Sequence, residues 1–599
     1  MHLKKITASI IGMVLVGASV MSANAAIPSV GDPGQSWVIP NDDLLGEHIQ
    51  EFLDTFPGGE ASYLFNPSTP SLNSNQSDFL SDPTCTSAKD PRCVNTNLSY
   101  QAVLPNCLID SDVNCISGFG TVDSSGTRTP ASFSRYYPSK ALNEYQGDPA
   151  LHLPSGVAGS LYSLPGAAHD GGNLYYISVS VDGTGNSQNG FSIGNLQTHV
   201  YPVQLQPETY NNNPGTGSGF WLNNRGRADG TKYWGRAGGA LFSQTQFCVA
   251  ASSEEQTCAV RFAFPANIKF YLKVRLQKVP GGWMHGRIAD PSISITQGSG
   301  YSELDIAANP VAVPAIYKMY NWVDMPPALR ANYDTKTGAY INDPLFKQNP
   351  ANAAPGGRSA GNVDPLKRNV IFSPNSWSAV GMEQLKLWLP YVNDQATALL
   401  SYWAVRSLSS GEMQGSNNCF NDPNSVTGIV TTNATQYSAG PPVFDKSQGA
   451  LNYSVAAPHY TTTHDVFQGN YDLIMRSDVA RCVYGFTKAP IKATISVTSA
   501  DGSPQTATTI LSESNGWVHL AANGFQFSNP SIQVKLTQDA PAPTPSPSSS
   551  ASATPTPSQS SQAPVPSLPK KVTITCIKGK TTKSVTAIKP TCPAGYKKK

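Results

Sequence analysis

Residues 540–569 constrain the rest of the chain more than any other stretch. Those thirty residues hold nine Pro, nine Ser, three Thr and five Ala, with no charged side chain. Such a stretch cannot bury enough apolar surface to offset the entropy of ordering, and its prolines favour extended backbone, so it reads as a semi-rigid spacer outside any core. The 599-residue chain is therefore a large body followed by a thirty-residue tail, Lys570–Lys599.

Charge separates these parts. The chain carries 41 Lys and Arg against 39 Asp and Glu. Two of the lysines fall within residues 1–25 and nine within the tail, neither of which contains an acid, so residues 26–569 carry a net −9. A basic tail separated from an acidic body can engage an anionic surface while the body stays in solvent. Over the whole chain, 50 Gly, 48 Pro and 25 Tyr, with only 13% charged residues, predict turn-rich β structure rather than long helices.

Lys4 and Lys5, the apolar run Ile10–Val20 and the small-residue site Ala23-Asn24-Ala25 have the three-part form of a secretory signal peptide, residues 1–25, cut after Ala25. The apolar run is shorter than the roughly 20 residues a membrane span needs, and no later segment approaches that length. The expected location is secreted, extracellular or cell-wall associated, with no transmembrane segment and no nucleic-acid partner.

Ten cysteines in an exported chain predict disulfides. Proximity pairs Cys85 with Cys93, Cys107 with Cys115, Cys248 with Cys258 and Cys576 with Cys592, which leaves Cys419 for Cys482. The paired C-x-x-C knuckles of a zinc site are absent.

Along the chain, residues 26–159 read as a loop-rich, disulfide-pinned region with a short helix capped by Asn41 and carrying Leu45, Ile49 and Phe52. Period two begins near residue 160. Tyr175, Ile177, Val179 and Val181 alternate with Tyr176, Ser178 and Ser180, and Asp182-Gly183 suggests a turn. Ile268, Phe270, Leu272, Val274 and Leu276 alternate with Lys269, Tyr271, Lys273, Arg275 and Gln277, the pattern of a strand with one wet face. These predict an antiparallel β-sandwich over 160–325. Residues 326–415 read as a helical connector: Met382, Leu385 and Leu389 form one stripe, and beyond Pro390 Val392, Ala396, Leu399 and Trp403 recur at spacings of four, three and four. Ile491 to Val497 and Ile532, Val534 and Leu536 predict a second β-sandwich over 416–539. The fold class is thus mainly β: two antiparallel β-sandwich domains joined by a helical segment, then the 540–569 linker and the small basic tail 570–599.

No motif supplies a catalytic residue, and no cofactor is expected. Gly357-Arg358-Ser359-Ala360-Gly361 matches a nucleophile elbow in letters but lacks the flanking strand and helix that strain the serine. His459, His464 and Asp465 share a polar loop and are candidate metal ligands, without the spacing or glutamate base of a hydrolytic zinc helix. Phe220–Gly239 concentrates Trp221, Tyr233 and Trp234 with Arg225, Arg227 and Arg236. Flat aromatics beside guanidinium groups suit a glycan or a protein ligand, and equally suit a core hairpin.

The tail pairs two β-prone runs around Gly579 with Cys576 and Cys592 to staple them. Through TITC, KGKTTK and CPAGYKKK it resembles the Lys-rich, two-cysteine endings that follow Pro/Ser/Thr spacers on secreted proteins of high-GC Gram-positive bacteria. The resemblance covers these thirty residues alone and implies an envelope location. Leu568-Pro569-Lys570-Lys571 lacks the Thr-Gly of a sortase signal. The resulting expectation is a non-catalytic surface protein, structural, adhesive or ligand-binding, whose partner through Lys570–Lys599 is an anionic cell-wall polymer. The alternative is a secreted carbohydrate-binding or carbohydrate-active protein.

Overall fold

The computed structural model describes residues 62–66; 84–207 except 92, 95 and 140–143; 220–223 and 233–236; 248–332 except 253, 254, 256 and 317; 369–371; 379–538 except 397, 439, 487–490, 499–503, 506–507 and 528–530; and, in the tail, 572–578, 581–587, 592 and 596–598. The signal peptide, the Asn41 helix, the 357–361 motif and the spacer lie outside these residues. The chain is mainly β, with several sheets and no helical bundle. It divides into two units, Met1–Ala540 and Pro541–Lys599.

Alternation builds the first layer. In the strand Lys269–Leu276, Phe270, Leu272, Val274 and Leu276 are buried, while Lys273 and Arg275 turn outward and reach Glu303 at 3.0 and 3.2 Å. This strand is the middle of a five-stranded sheet between Ser302–Asn309 and Cys115–Val122, with Ala289–Gln297 and Arg128–Pro130 at the edges. Its inner face supplies Phe119, Phe270, Leu304 and Ile306 to a core shared with Tyr175, Ile177, Val179 and Val181 of the fourteen-stranded central sheet.

The central sheet runs through Leu98–Val103, Leu174–Asn186, Gly190–Pro207, Ala404–Ser407, Gly282–Arg287, Val426–Thr432, Gln468–Arg476, Trp517–Gln526 and Thr508–Ser514. Among its described pairs, Gly282–Arg287 with Val426–Thr432 is parallel and the rest are antiparallel. A six-stranded sheet contributes Leu451, Tyr453, Ile532, Val534 and Leu536 to a second core with Val430, Leu473, Met475, Val518 and Leu520 of the central sheet. In Gln468–Arg476 alternate residues serve the two cores, Leu473 and Met475 one, Ile474 the other. The strands expected in two separate sandwiches therefore meet in one sheet, with a smaller sheet packed on each face.

Two local expectations change. The segment after Pro390 is not helical. A helix covers Ala379–Trp388, a 3-10 turn covers Leu389–Val392 with Pro390 in its first turn, and Asn393 ends it in the left-handed conformation. The chain then forms the strands Ala398–Tyr402 and Ala404–Ser407, which pair with Val311–Ala315 and with Gly190–Pro207. The spacing of Ala396, Leu399 and Trp403 fits a helix, but tertiary pairing of this aromatic, aliphatic run overrides it.

Asp182-Gly183 is not the turn. The strand continues to Asn186, whose side-chain oxygen accepts from the backbone N–H groups of Gln188 and Asn189 at 3.0 and 2.8 Å, and the reversal lies there. Asp182-Gly183 marks a bulge instead. A Cβ on Gly183 would lie 1.8 Å from the Ser192 carbonyl oxygen, and the Asp182 carboxylate takes the Asn195 side-chain amide at 3.0 Å.

The Tyr176, Ser178 and Ser180 face of this strand is buried as well. The sheet curls so that Ser132–Tyr137 meets the 255–257 region: Arg135 binds Glu255 through two hydrogen bonds of 2.9 and 2.7 Å, and the Tyr137 hydroxyl donates to the Thr257 carbonyl at 2.7 Å. Tyr137, Leu161, Tyr176, Tyr201 and Val249 pack together as a separate core cluster.

Three disulfides are formed as the spacing predicts: Cys85–Cys93, Cys107–Cys115 and Cys419–Cys482. Cys592 is also disulfide-bonded, while the side chains of Cys248, Cys258 and Cys576 lie outside the described residues. No helix among the described residues is long and apolar enough to cross a membrane.

The second unit contains a three-stranded antiparallel sheet, Thr581–Ala587, Val572–Lys578 and Lys597–Lys598 in that order. Lys583 and Lys598 stand opposite Cys576 on either side, and Lys597 and Lys598 are exposed.

Candidate functional site

The loop 457–467 holds the three candidate metal ligands. The Nδ1 of His459 lies 3.3 Å from Asp394 Oδ2, and its backbone N–H donates to Asp394 Oδ1 at 2.9 Å. His464, with φ 67°, stacks on Tyr460 with ring centroids 4.4 Å apart. Asp465 accepts the Thr463 hydroxyl at 2.7 Å. Each is occupied by turn chemistry of its own. Among the described residues no group of three His, Cys, Asp or Glu side chains could hold a metal ion.

The aromatic segment forms a hairpin, Phe220–Asn223 with Tyr233–Arg236, and Arg225 and Arg227 lie outside the described residues. Its register pairs Trp221 with Gly235 and Leu222 with Trp234.

Another polar cluster lies among the described residues. Alternate positions of Gly282–Arg287 bring His285 and Arg287 to one face, and His285 stands opposite Arg406. Tyr437, from the six-stranded sheet, lies against them. Its ring stacks on His285 at 3.8 Å between centroids, and the Arg287 guanidinium carbon is 4.9 Å from its centroid. Arg406 donates to the Tyr437 hydroxyl at 3.1 Å and to both Glu412 oxygens at 2.9 and 2.6 Å. Arg287 donates to the Thr432 carbonyl at 3.2 Å and to that of Ala434.

Arg287 is 0% exposed and His285 3%, while Arg406 and Glu412 are partly exposed at the edge of the cluster. Its guanidinium groups are balanced by one carboxylate, main-chain carbonyls and an aromatic face, the arrangement of a clamp between sheets. A buried carboxylate, Asp472, 1% exposed, plays a similar part between layers. It accepts from the Thr431 hydroxyl and from the Asp290 backbone N–H, each at 3.3 Å, and lies 2.9 Å from His519 Nε2.

Sequence reasoning missed both groups because their members are scattered. The available signal was modest: His285 and Arg287 are polar residues two apart in Trp283-Met284-His285-Gly286-Arg287, which otherwise reads as a buried strand.

No family model, curated protein or solved structure matches the chain.

The buried imidazole carries a consequence for pH. Burial, then the charges of Arg287 and Arg406, hold the His285 pKa well below its usual 6.5. Burial also lowers that of His169. Below pH 6.5 the unfolded chain takes up protons that these folded histidines refuse, so stability present above that pH is lost as pH falls. For His285 the loss should approach about 1.4 kcal/mol per pH unit. Urea unfolding at pH 7.5 and 5.5 reads it, and His285→Gln should flatten the dependence; an unchanged slope would remove His285 as its source.

Proposed function

We propose that this chain is a non-catalytic protein of the cell envelope, exported by residues 1–25, with its β body displayed on the 540–569 spacer and held to an anionic wall polymer by Lys570–Lys599. The observation that carries this reading is the division at Ala540/Pro541. Beyond it stands a separate three-stranded unit whose sequence carries nine lysines and no acid, and in which Cys592 is disulfide-bonded. A sheet of that size is marginal without a crosslink, which accounts for cysteines in so short a tail. In the body, the polar groups that could suggest chemistry are committed to structural pairing: His459 to Asp394, Arg406 to Glu412, Asp472 to Thr431 and Asp290.

Charge sets the orientation in this reading. A polyanion attracts the tail and repels the −9 of residues 26–569.

Deleting Lys570–Lys599 should move the protein from the wall fraction into the medium. Washing intact cells with about 1 M salt, where the Debye length falls to about 3 Å, should elute the unaltered protein. Retention of the deletion variant on the wall would sink the proposal. Elution failure with release of the deletion variant would replace ionic by covalent attachment.

A further inference from the structure

A strand at the edge of a sheet offers its outer N–H and C=O groups to another chain, and folded proteins usually blunt such edges. The described edges of the three large sheets follow that practice with one exception. In the central sheet, Tyr63–Phe65 has three residues, and both Ser132–Tyr137 and Cys248–Ser252 are bulged. The five-stranded sheet ends in Ala289–Gln297, which has a register shift and Pro291, and in Arg128–Pro130, three residues long. The six-stranded sheet ends in Gln436–Tyr437 and Val443–Asp445, of two or three residues each, and in Ile491–Thr498, which Pro504–Gln505 covers at Val497 and Thr498 and whose remaining edge carries Lys492. The exception is Thr508–Ser514, the last strand of the central sheet. It has seven residues in unbroken register with Trp517–Gln526, and no Pro, Lys or Arg.

The turn tells which groups point outward. Asn515 and Gly516, with φ 51° and 80°, make a two-residue reversal with both central residues left-handed, as Asn-Gly favours. Such a hairpin closes on a hydrogen-bonded pair, here Ser514 with Trp517, and hydrogen-bonded and open pairs then alternate. Ser514, Ser512, Ile510 and Thr508 therefore bond inward, while Glu513, Leu511 and Thr509 direct their main-chain groups outward.

We propose that this chain forms a two-fold symmetric dimer by antiparallel pairing of Thr508–Ser514 with the same strand of a second copy, the axis passing beside Leu511. Leu511 then stands opposite the partner's Leu511, and Thr509 opposite the partner's Glu513, twice over by symmetry. The three outward residues meet outward residues only. The one charge in the strand, Glu513, pairs with Arg481 of its own chain at 2.8 Å and would face a threonine of the partner. Moving the axis by one residue would set inward-bonded groups against each other, and moving it to Glu513 would crowd two such ion pairs together. A second copy therefore matches this edge in the spacing of its outward groups, and the central sheet becomes continuous across the pair.

Sedimentation equilibrium of the full chain over a roughly hundredfold range of concentration tests this, and the expected result is a reversible dimer. Leu511→Pro removes an outward N–H without touching a bond to Trp517–Gln526, so it should sediment as a monomer with an unchanged far-ultraviolet spectrum. Register is tested by charge: Thr509→Lys, facing the partner's Glu513 twice, should tighten the dimer, and Thr509→Glu should loosen it, each on the order of fivefold. A wild-type chain that stays monomeric overturns the proposal. So does a Leu511→Pro dimer, or a Thr509→Lys and Thr509→Glu pair that shift association in the same direction.

Discussion

Replacing Cys419 and Cys482 together by serine should lower the free energy of unfolding by about 4 kcal/mol, because the bridge closes the longest covalent loop observed in the body. The two Cα atoms lie 5.9 Å apart, within the usual range for a disulfide, and 63 residues separate them in sequence. One end sits in the 3-10 turn Asn418–Phe420, the other on the helix Ser477–Tyr484. Between them run Val426–Thr432 and Gln468–Arg476 of the central sheet and Ala450–Ala456 of the six-stranded sheet. Opening the loop frees strands of two sheets in the unfolded chain. The same exchange at Cys85 and Cys93, eight residues apart, should cost less, about 2 to 3 kcal/mol. Guanidinium unfolding of the two double variants gives the order; a smaller loss at Cys419–Cys482 than at Cys85–Cys93 would show that chain entropy does not govern these bonds.

Trp403→Ala should be comparably damaging, about 3 to 5 kcal/mol, through loss of buried area and the cavity left behind. Trp403 is 1% exposed and lies in the core shared by the five-stranded and central sheets. Its indole N–H donates to the Ala308 carbonyl at 3.0 Å, so the variant also strands a buried acceptor. Trp403→Phe keeps much of the volume and loses the hydrogen bond, and should fall between wild type and alanine. Equal losses for Phe and Ala would assign the effect to the hydrogen bond rather than to packing.

Trp403 also shows where the sequence is legible and where it is not. Lys269–Leu276, Ile491–Thr498 and Ser531–Gln538 could be read because each alternates and is bounded by turn residues. In Val426–Thr432 every residue is buried, so no wet face writes period two into the sequence. Around Trp403, apolar residues on both faces imitate helical spacing until the sheet partners are known. The helix Ser477–Tyr484 was passed over although Asp478 in its first turn and the left-handed Gly485 at its end are ordinary helix signals. Short spacing made Cys85–Cys93 and Cys107–Cys115 legible, and elimination then left Cys419 for Cys482. The clamp of His285, Arg287, Arg406, Glu412 and Tyr437 gathers residues from distant parts of the chain, and no local pattern announces a group assembled by topology.

The order of strands in the central sheet also governs when it can form. Gly190–Pro207 waits for Ala404–Ser407, and the Thr198 hydroxyl bonds a Val405 carbonyl that lies 207 residues further on. Gly282–Arg287 needs the same late strand on one side and Val426–Thr432 on the other. Loop closure over such separations must precede any gain from pairing, which slows folding. During synthesis from the N-terminus, the middle of the sheet stays open until residue 432 has emerged, so the early half of the chain remains unable to complete its fold for most of the time it takes to be made.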